Sequence, residues 1–468
     1  MSLPLPGTNR TLLDIKADVE RAELARSQYN FGPNFLQDQP STMWMIFQLL
    51  LLGLQLGLSF LVAYLLLLTF AARQAPRETT LPGVNPEHTF TLLIPAHNEE
   101  LLLPSLLNSL KRLDYPASLF SIHVVADNCS DQTEAVARQG GAVVHARQNL
   151  EEPGKGFALA WLLQNLSQQG VESDAFVILD ADTLVSPNFL RVMSAQLGQG
   201  RQVIQAYYSV REAHKSWNSS LRYAALAVLH YLRPQGRMVL GGSAGLKGNG
   251  MVFRAEMLKN HQWSASITED IEFHMSLVLA GERVWFAPDA VVWGEIPAKL
   301  SHSESQHDRW ERGRLQMARK YVPQLLQAAT REIRQKDFPQ GYLFFDAFME
   351  HIIPPFSILT GLTFLSLAAS LLSVYFAPVS ADLWSPGMAA FNLALAIFVA
   401  SGQLVYLFSG LSMVRAPKST YAALFFAPVL ILWKITRYLR VIFQSGDSTW
   451  VRTSREEVPG AAAKKTQP

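Results

Sequence analysis

The sequence predicts an α/β domain, built on a mostly parallel sheet, combined with transmembrane and interfacial α-helices. Between Phe90 and Tyr207, short apolar runs alternate with helical patterns. Several of these runs close on polar or acidic residues, the place where an α/β sheet presents its ligand groups. Outside that region, three long stretches contain no Asp, Glu, Lys or Arg: Gln39–Ala72, Ile352–Ala381 and Leu383–Val414.

A hydrocarbon core of about 30 Å needs about 20 apolar helical residues to cross, so each of the three stretches is long enough to span it. The first begins only after some forty residues that include many charges, and it lacks a small-residue cleavage pattern. It is therefore expected to stay in the mature protein rather than act as a signal peptide. A further apolar run, Ser419–Trp433, is interrupted by Lys434, Arg437 and Arg440. A crossing and a surface-lying helix both remain open for it. From Ser412 to Pro468 there are nine Lys and Arg against three acids, which by the positive-inside rule places that end in the cytoplasm. The formal net charge of +2 leaves no general nucleic-acid footprint. The single cysteine, Cys129, cannot form an internal disulfide, in keeping with a reducing compartment.

Taken in order, residues 1–40 hold an amphipathic pattern (Leu12, Ile15, Val19, Leu24) and a linker, and 41–72 form the first membrane helix. A breaker-rich linker, Arg73–Glu87, follows with Pro76, Pro82, Gly83 and Pro86. Strands are predicted at Phe90–Ile94, Ile122–Ala126, Ala142–His145, Phe176–Leu179 and Val203–Tyr207. Helices are predicted from near Glu100, Asp131, Gly156 and Pro187. This alternation defines a catalytic domain over 88–300. Past Pro288 the pattern turns amphipathic and rich in Arg and aromatics, so 301–351 should hold interfacial helices, His307–Leu326 and Phe338–His351. A membrane region over 352–444 and a basic tail over 445–468 complete the chain.

The first strand ends in Ile94-Pro95-Ala96-His97-Asn98-Glu99 and the second in Asp127-Asn128-Cys129-Ser130-Asp131. Asp127 is placed to accept from a nucleobase, whereas Asp131 suits a helix cap; turn chemistry alone also explains both loops. Gly154-Lys155-Gly156 opens a helix, where Lys155 offers a charge to phosphate or the triplet serves only as a cap. Asp180-Ala181-Asp182 closes a buried strand. Two carboxylates at i and i+2 can share a hard divalent cation with diphosphate oxygens, or form a capped turn before Pro187. Glu269 and Asp270 begin a helix, where acids also serve as dipole partners. Gln306-His307-Asp308-Arg309-Trp310 sets a guanidinium beside an indole, fit for a diphosphate and a sugar or for a membrane interface.

In this order, the Asp after the second strand, Asp180-Ala181-Asp182, Thr268-Glu269-Asp270 and Gln306-His307-Asp308-Arg309-Trp310 resemble glycosyltransferase family 2. The resemblance is nearest to the membrane-embedded branch containing cellulose, hyaluronan and poly-N-acetylglucosamine synthases. It covers about residues 90–312, and it implies a GT-A fold and an inverting transfer from a nucleotide-diphosphate sugar, UDP being the expected nucleotide. On the matching positions Asp127 would contact the nucleobase, with Pro95, Asn98, Glu99 and Lys155 in the donor cleft. Asp180 and Asp182 would hold the donor and Mg2+ or Mn2+, and Asp270 would be the general base beside Glu269. Gly248 and Asn249 would border the acceptor, and Gln306, Arg309 and Trp310 would line donor and acceptor. Two departures stand out: Ala126 occupies a position where many relatives have another Asp, and fewer spans are visible than in many polymer-extruding synthases.

The expected product is a β-linked cell-surface polysaccharide, made by a multi-pass protein of the inner membrane with its catalytic domain in the cytoplasm. A single transfer to a membrane lipid, or a catalytically silent scaffold subunit, are the alternatives. The expected partners are a nucleotide sugar, a glycan or lipid acceptor and the bilayer.

Overall fold

The computed structural model describes residues 39–76, 87–261, 263, 268–295, 304–376 and 384–443. The N-terminal segment expected over 1–40, apart from its last two residues, and the tail expected over 445–468 lie outside these.

A long helix α1 (Gln39–Gln74) comes first. The α/β region then runs β1 (Phe90–Ala96), α2 (Leu103–Leu110), β2 (Phe120–Asp127), α3 (Thr133–Gln139), β3 (Val143–Arg147), α4 (Lys155–Gln168) and β4 (Ala175–Ile178). After it come β5 (Thr183–Val185), α5 (Phe189–Gly198), β6 (Val203–Val210), and α6 (Trp217–Leu226) joined through a π turn to α7 (Arg233–Leu240). Next are β7 (Met251–Arg254), α8 (Ala255–Asn260), α9 (Glu269–Leu279) and β8 (Val284–Gly294). The helices α10 (Glu304–Arg334), α11 (Phe338–Ile352), α12 (Phe356–Tyr375), α13 (Trp384–Met413), α14 (Lys418–Ala423) and α15 (Ala427–Phe443) close the described chain.

The strands form one sheet in the order β3-β2-β1-β4-β7-β6-β8-β5. β1 runs parallel to both β2 and β4, and β2 parallel to β3. β7 enters antiparallel between β4 and β6. The alternation of side chains along β1 shows why it is central. Phe90, Leu92, Ile94 and Ala96 join one core with Leu103, Leu106 and Leu107 of α2, while Leu93 joins the opposite core with Leu159 and Leu162 of α4. A strand apolar on both faces suits a sheet covered on both faces. The five predicted strands are present, each within about two residues of its expected start. β5, β7 and β8 were not foreseen.

The described chain divides into two compact units, Met1–Gly57 with Ser366–Ile397, and Leu58–Leu365 with Phe398–Pro468. In the first, polar side chains within apolar helices satisfy one another: Gln55 Nε2 donates to Ser370 Oγ at 2.7 Å and Asn392 Nδ2 to Gln48 Oε1 at 2.7 Å. The second contains the sheet. Among the described residues, four helical segments are long and apolar enough to cross a membrane: Thr42–Gln74, Phe356–Tyr375, Pro386–Met413 and Lys418–Val441. The first three are those expected, and the fourth is the run whose crossing was left open.

Candidate active site

The parallel strands deliver their polar ends to one edge of the sheet, where two loops interlock. Asn98, at φ +56, follows β1 and accepts from Ser130 N–H at 2.7 Å. Glu99 N–H donates to Thr133 Oγ1 at 2.8 Å. Asp131 accepts from Thr133 N–H at 2.9 Å, but it lies one residue before the N-cap of α3, Gln132, rather than at the cap itself. Pro95 lies on β1, half-buried. Asp127 ends β2 in the buried interior, where its Oδ1 accepts from Arg147 Nη1 at 2.6 Å and its Oδ2 from Gly154 N–H at 3.4 Å. Both oxygens therefore fasten the loop that leads into α4.

Lys155, at the start of α4, joins the remaining acids. Its Nζ donates to Asp180 Oδ1 at 2.6 Å and to Gly248 O, and lies 3.9 Å from Glu269 Oε1. Gly248 has φ +74, and a Cβ there would stand 3.2 Å from Asp270 Oδ2 and 3.7 Å from Lys155 Nζ, so the glycine permits this close approach. Lys155, Asp180, Gly248, Glu269 and Asp270 thus form one cluster. Burial works against the Lys155 charge, but Asp180, Glu269 and Asp270 outweigh it and hold the ammonium above its ordinary pKa. Burial pushes Glu269 up to about 7, with Lys155 pulling it back and Asp270 adding to the rise. Burial also raises Asp270, against the pull of Lys155 and of the Ile271 N–H that its Oδ1 accepts at 2.9 Å.

Asp182 is half-buried beside the cluster. Burial and the charges of Asp182 and Asp180 hold the Tyr208 phenol above the usual tyrosine range, which places this ring of β6 near the carboxylate pair. Asn249 is fully buried and turned inward, accepting from Asp180 N–H at 3.2 Å and donating to Thr183 Oγ1 at 2.7 Å. Gln205 clamps the same loop, accepting from Lys247 N–H at 2.9 Å and donating to Asn249 O at 2.8 Å.

On α10, Trp310 is 45% exposed, whereas burial lowers the Arg309 pKa against the opposing charge of Glu269. The side chain of Gln306 lies outside the described residues. α10 reaches the start of α9 through Gly313, where any Cβ would overlap Thr268 Cγ2. Behind the loop over 241–250, α11 supplies Glu350, which accepts from Lys247 Nζ at 3.2 Å and from the buried Arg237. Arg237 also pairs with fully buried Asp346 at 3.2 Å. Among the described residues no three His, Cys, Asp or Glu side chains gather as a metal site.

Residues 86–313 match the family described as Glycosyltransferase like family 2. Over these residues the chain is similar to that family. Its fold is of the GT-A type, as the resemblance implied, and the cluster around Lys155 lies inside it. The chain is 25% identical over 269 residues to a probable glycosyltransferase, YdaM, of Bacillus subtilis (strain 168), covering 55% of this chain and 62% of that one. It is 28% identical over 233 residues to a β-monoglucosyldiacylglycerol synthase of Synechocystis sp., covering 47% of each. The chain spans about half the length of the curated relatives it matches, 41% to 62%. A mannosyltransferase from Pyrobaculum calidifontis, solved with GDP-Man and Mn2+, aligns at 16% identity and a TM-score of 0.48, over 78% of this chain and 97% of that one.

Sequence reasoning missed Arg147, Gln205, Tyr208, Lys247, Gly313 and Glu350 around the candidate site. Gln205 was the one with a local signal, a lone amide inside the apolar run Val203–Tyr207. The others act through partners distant in sequence.

Proposed function

We propose that the chain transfers a sugar from a nucleotide-diphosphate donor, UDP-linked by expectation, to a hydroxyl of an acceptor presented at the membrane. One observation above all supports this: Lys155, Asp180, Glu269 and Asp270 meet at the carboxyl edge of the sheet, within reach of Arg309. In this reading Asp270 Oδ2, the oxygen facing Gly248, takes the acceptor proton as the new bond forms, and inversion follows because the diphosphate leaves from the opposite side. Lys155 and Arg309 bind the diphosphate oxygens. In this reading the Asp127–Arg147 pair stands at the nucleobase end, and Pro95, Asn98 and Glu99 border it. Trp310 stacks on a sugar ring, with Gln306 nearby in sequence.

Asp180 and Asp182 fit a hard divalent cation of the Mg2+ or Mn2+ kind, which keeps several waters and shares substrate phosphates rather than needing a full protein cage. When bound, such an ion neutralises charge growing on the departing diphosphate.

For the acceptor, relatives named β-monoglucosyldiacylglycerol synthase support a membrane lipid taking a single sugar. A growing β-linked polysaccharide, the expectation from the sequence, is the second reading. In both, the catalytic domain faces the cytoplasm from the inner membrane, as the basic C-terminal end suggests. Detergent-purified full-length protein, given Mn2+, labelled UDP-glucose, UDP-N-acetylglucosamine or UDP-galactose, and diacylglycerol, should release UDP and make a one-sugar lipid. A ladder of long products would instead favour the polymer. Absence of metal-dependent UDP release with every donor would sink the glycosyltransferase reading.

A further inference from the structure

Lys155 occupies the position of a cation between two acidic motifs. Its ammonium donates to Asp180 Oδ1 at 2.6 Å and to Gly248 O, and stands 3.9 Å from Glu269 Oε1. The Lys155 side chain is about a quarter exposed and that of Asp180 about a third, so the pair is only partly screened by water. Resting on the nucleotide-donor reading, we propose that the Lys155 ammonium is a displaceable internal cation. It holds Asp180 against divalent metal until a donor diphosphate draws the ammonium away.

The argument is one of competition for an oxygen. A Mg2+-sized ion binds carboxylate oxygen at about 2.0–2.1 Å, and an ammonium already on that oxygen would then face it as a like charge at short range. Lysine sits on a flexible four-carbon stem with three donors, so its head can swing to another acceptor. Diphosphate oxygens arriving at the start of α4 are such an acceptor, and they take the ammonium while leaving Asp180 Oδ1 to the metal. Metal affinity is therefore low in the donor-free protein and rises when the nucleotide binds. The resting protein is thereby shielded from adventitious cations without a lid.

The test is Mn2+ binding to the full-length protein in detergent, read from the free-ion signal in electron paramagnetic resonance. Lys155→Met should bind Mn2+ at least about tenfold more tightly than wild type without nucleotide, the low end for losing a charge-assisted hydrogen bond. Unchanged or weaker donor-free binding would overturn the proposal. A second measurement needs no variant: acetic anhydride labelling of Lys155, followed by mass spectrometry. Saturating Mn2+ alone should increase labelling several-fold, and UDP added with Mn2+ should suppress it. Labelling unmoved by saturating Mn2+ would mean metal and ammonium do not compete. If UDP fails to raise wild-type Mn2+ affinity, the nucleotide-donor reading itself is at fault, and the donor-free results still judge the competition.

Discussion

Replacing Asp270 with Asn tests the assignment of the base most directly. The substitution keeps the side-chain shape and the acceptor atom for Ile271 N–H, which Asp270 Oδ1 engages at 2.9 Å. The basic oxygen facing Gly248 is lost. A positioned general base contributes about 10²–10⁴-fold, so transfer should fall at least about 10²-fold, or about 2.7 kcal/mol of barrier. UDP and Mn2+ binding should stay near wild type, because Asp180, Asp182 and Lys155 are untouched. The pH profile gives a second reading. A base works deprotonated, so wild-type kcat/KM should rise with pH, and its acidic limb should lie above the ordinary carboxylate range because burial raises Asp270. Asp270 contributes to the rise at Glu269, so its neutralisation should let the Glu269 pKa fall and move the residual limb to lower pH. Labelled-sugar transfer across a pH series, with calorimetry for UDP and Mn2+, measures all of this. Near-normal transfer in Asp270→Asn together with loss in Glu269→Gln would refute the reasoning.

Asp182→Asn should abolish Mn2+-dependent donor binding while the protein stays folded in the membrane; undiminished turnover at low metal would reduce the pair to a turn. Gly313→Ala decides between opposed signs: alanine favours a free helix by about 1 kcal/mol, whereas overlap with Thr268 should cost about 1–3 kcal/mol. We expect a lower melting temperature in detergent and reduced transfer, and a raised melting temperature would show that the close approach is unimportant. On topology, an external N-terminus and a cytoplasmic catalytic domain predict that impermeant thiol reagent reaches Gly7→Cys, which lies outside the described residues, and misses Gln199→Cys. The reverse pattern would invert the topology.

The parallel part of the sheet was legible because β1, β2 and β4 are short buried runs that end in polar groups, a local signal. β8 was not, since Pro288 and Asp289 interrupt it; the register with β6 jumps from Ala206–Ala287 to Tyr207–Val291 at that point. Proline has no N–H for the ladder, so the strand bulges where its sequence ceases to look like one. β7 has four residues, and its antiparallel place depends on strands far along the chain. The same contrast holds within the site. The spacing of Asp180 and Asp182 is visible in the sequence, but that Asn249 turns inward to Asp180 N–H and Thr183 is a fact of packing. Lys247 and Glu350 meet across 103 residues, which no window on a single sequence can register.

These distant contacts also bear on how an acceptor would reach the site. α10, which presents Arg309 and Trp310, is fastened on two sides to chain that leads into candidate membrane spans. Arg314 donates to Ile353 O, just before α12, and Arg437 of α15 donates to Asp308 Oδ1 at 3.0 Å and to Glu304 Oε2 at 2.8 Å. His307 further lies against Trp433, with ring centroids 5.6 Å apart. An α15 tied to α10 by a buried guanidinium and two carboxylates favours a surface-lying helix over a crossing, since those charges would have to enter hydrocarbon with it. On that reading the first three candidate spans cross, and the end of α15 lies on the catalytic side. The helix that carries Arg309 and Trp310 is thereby tied to α15 at its N-terminal end.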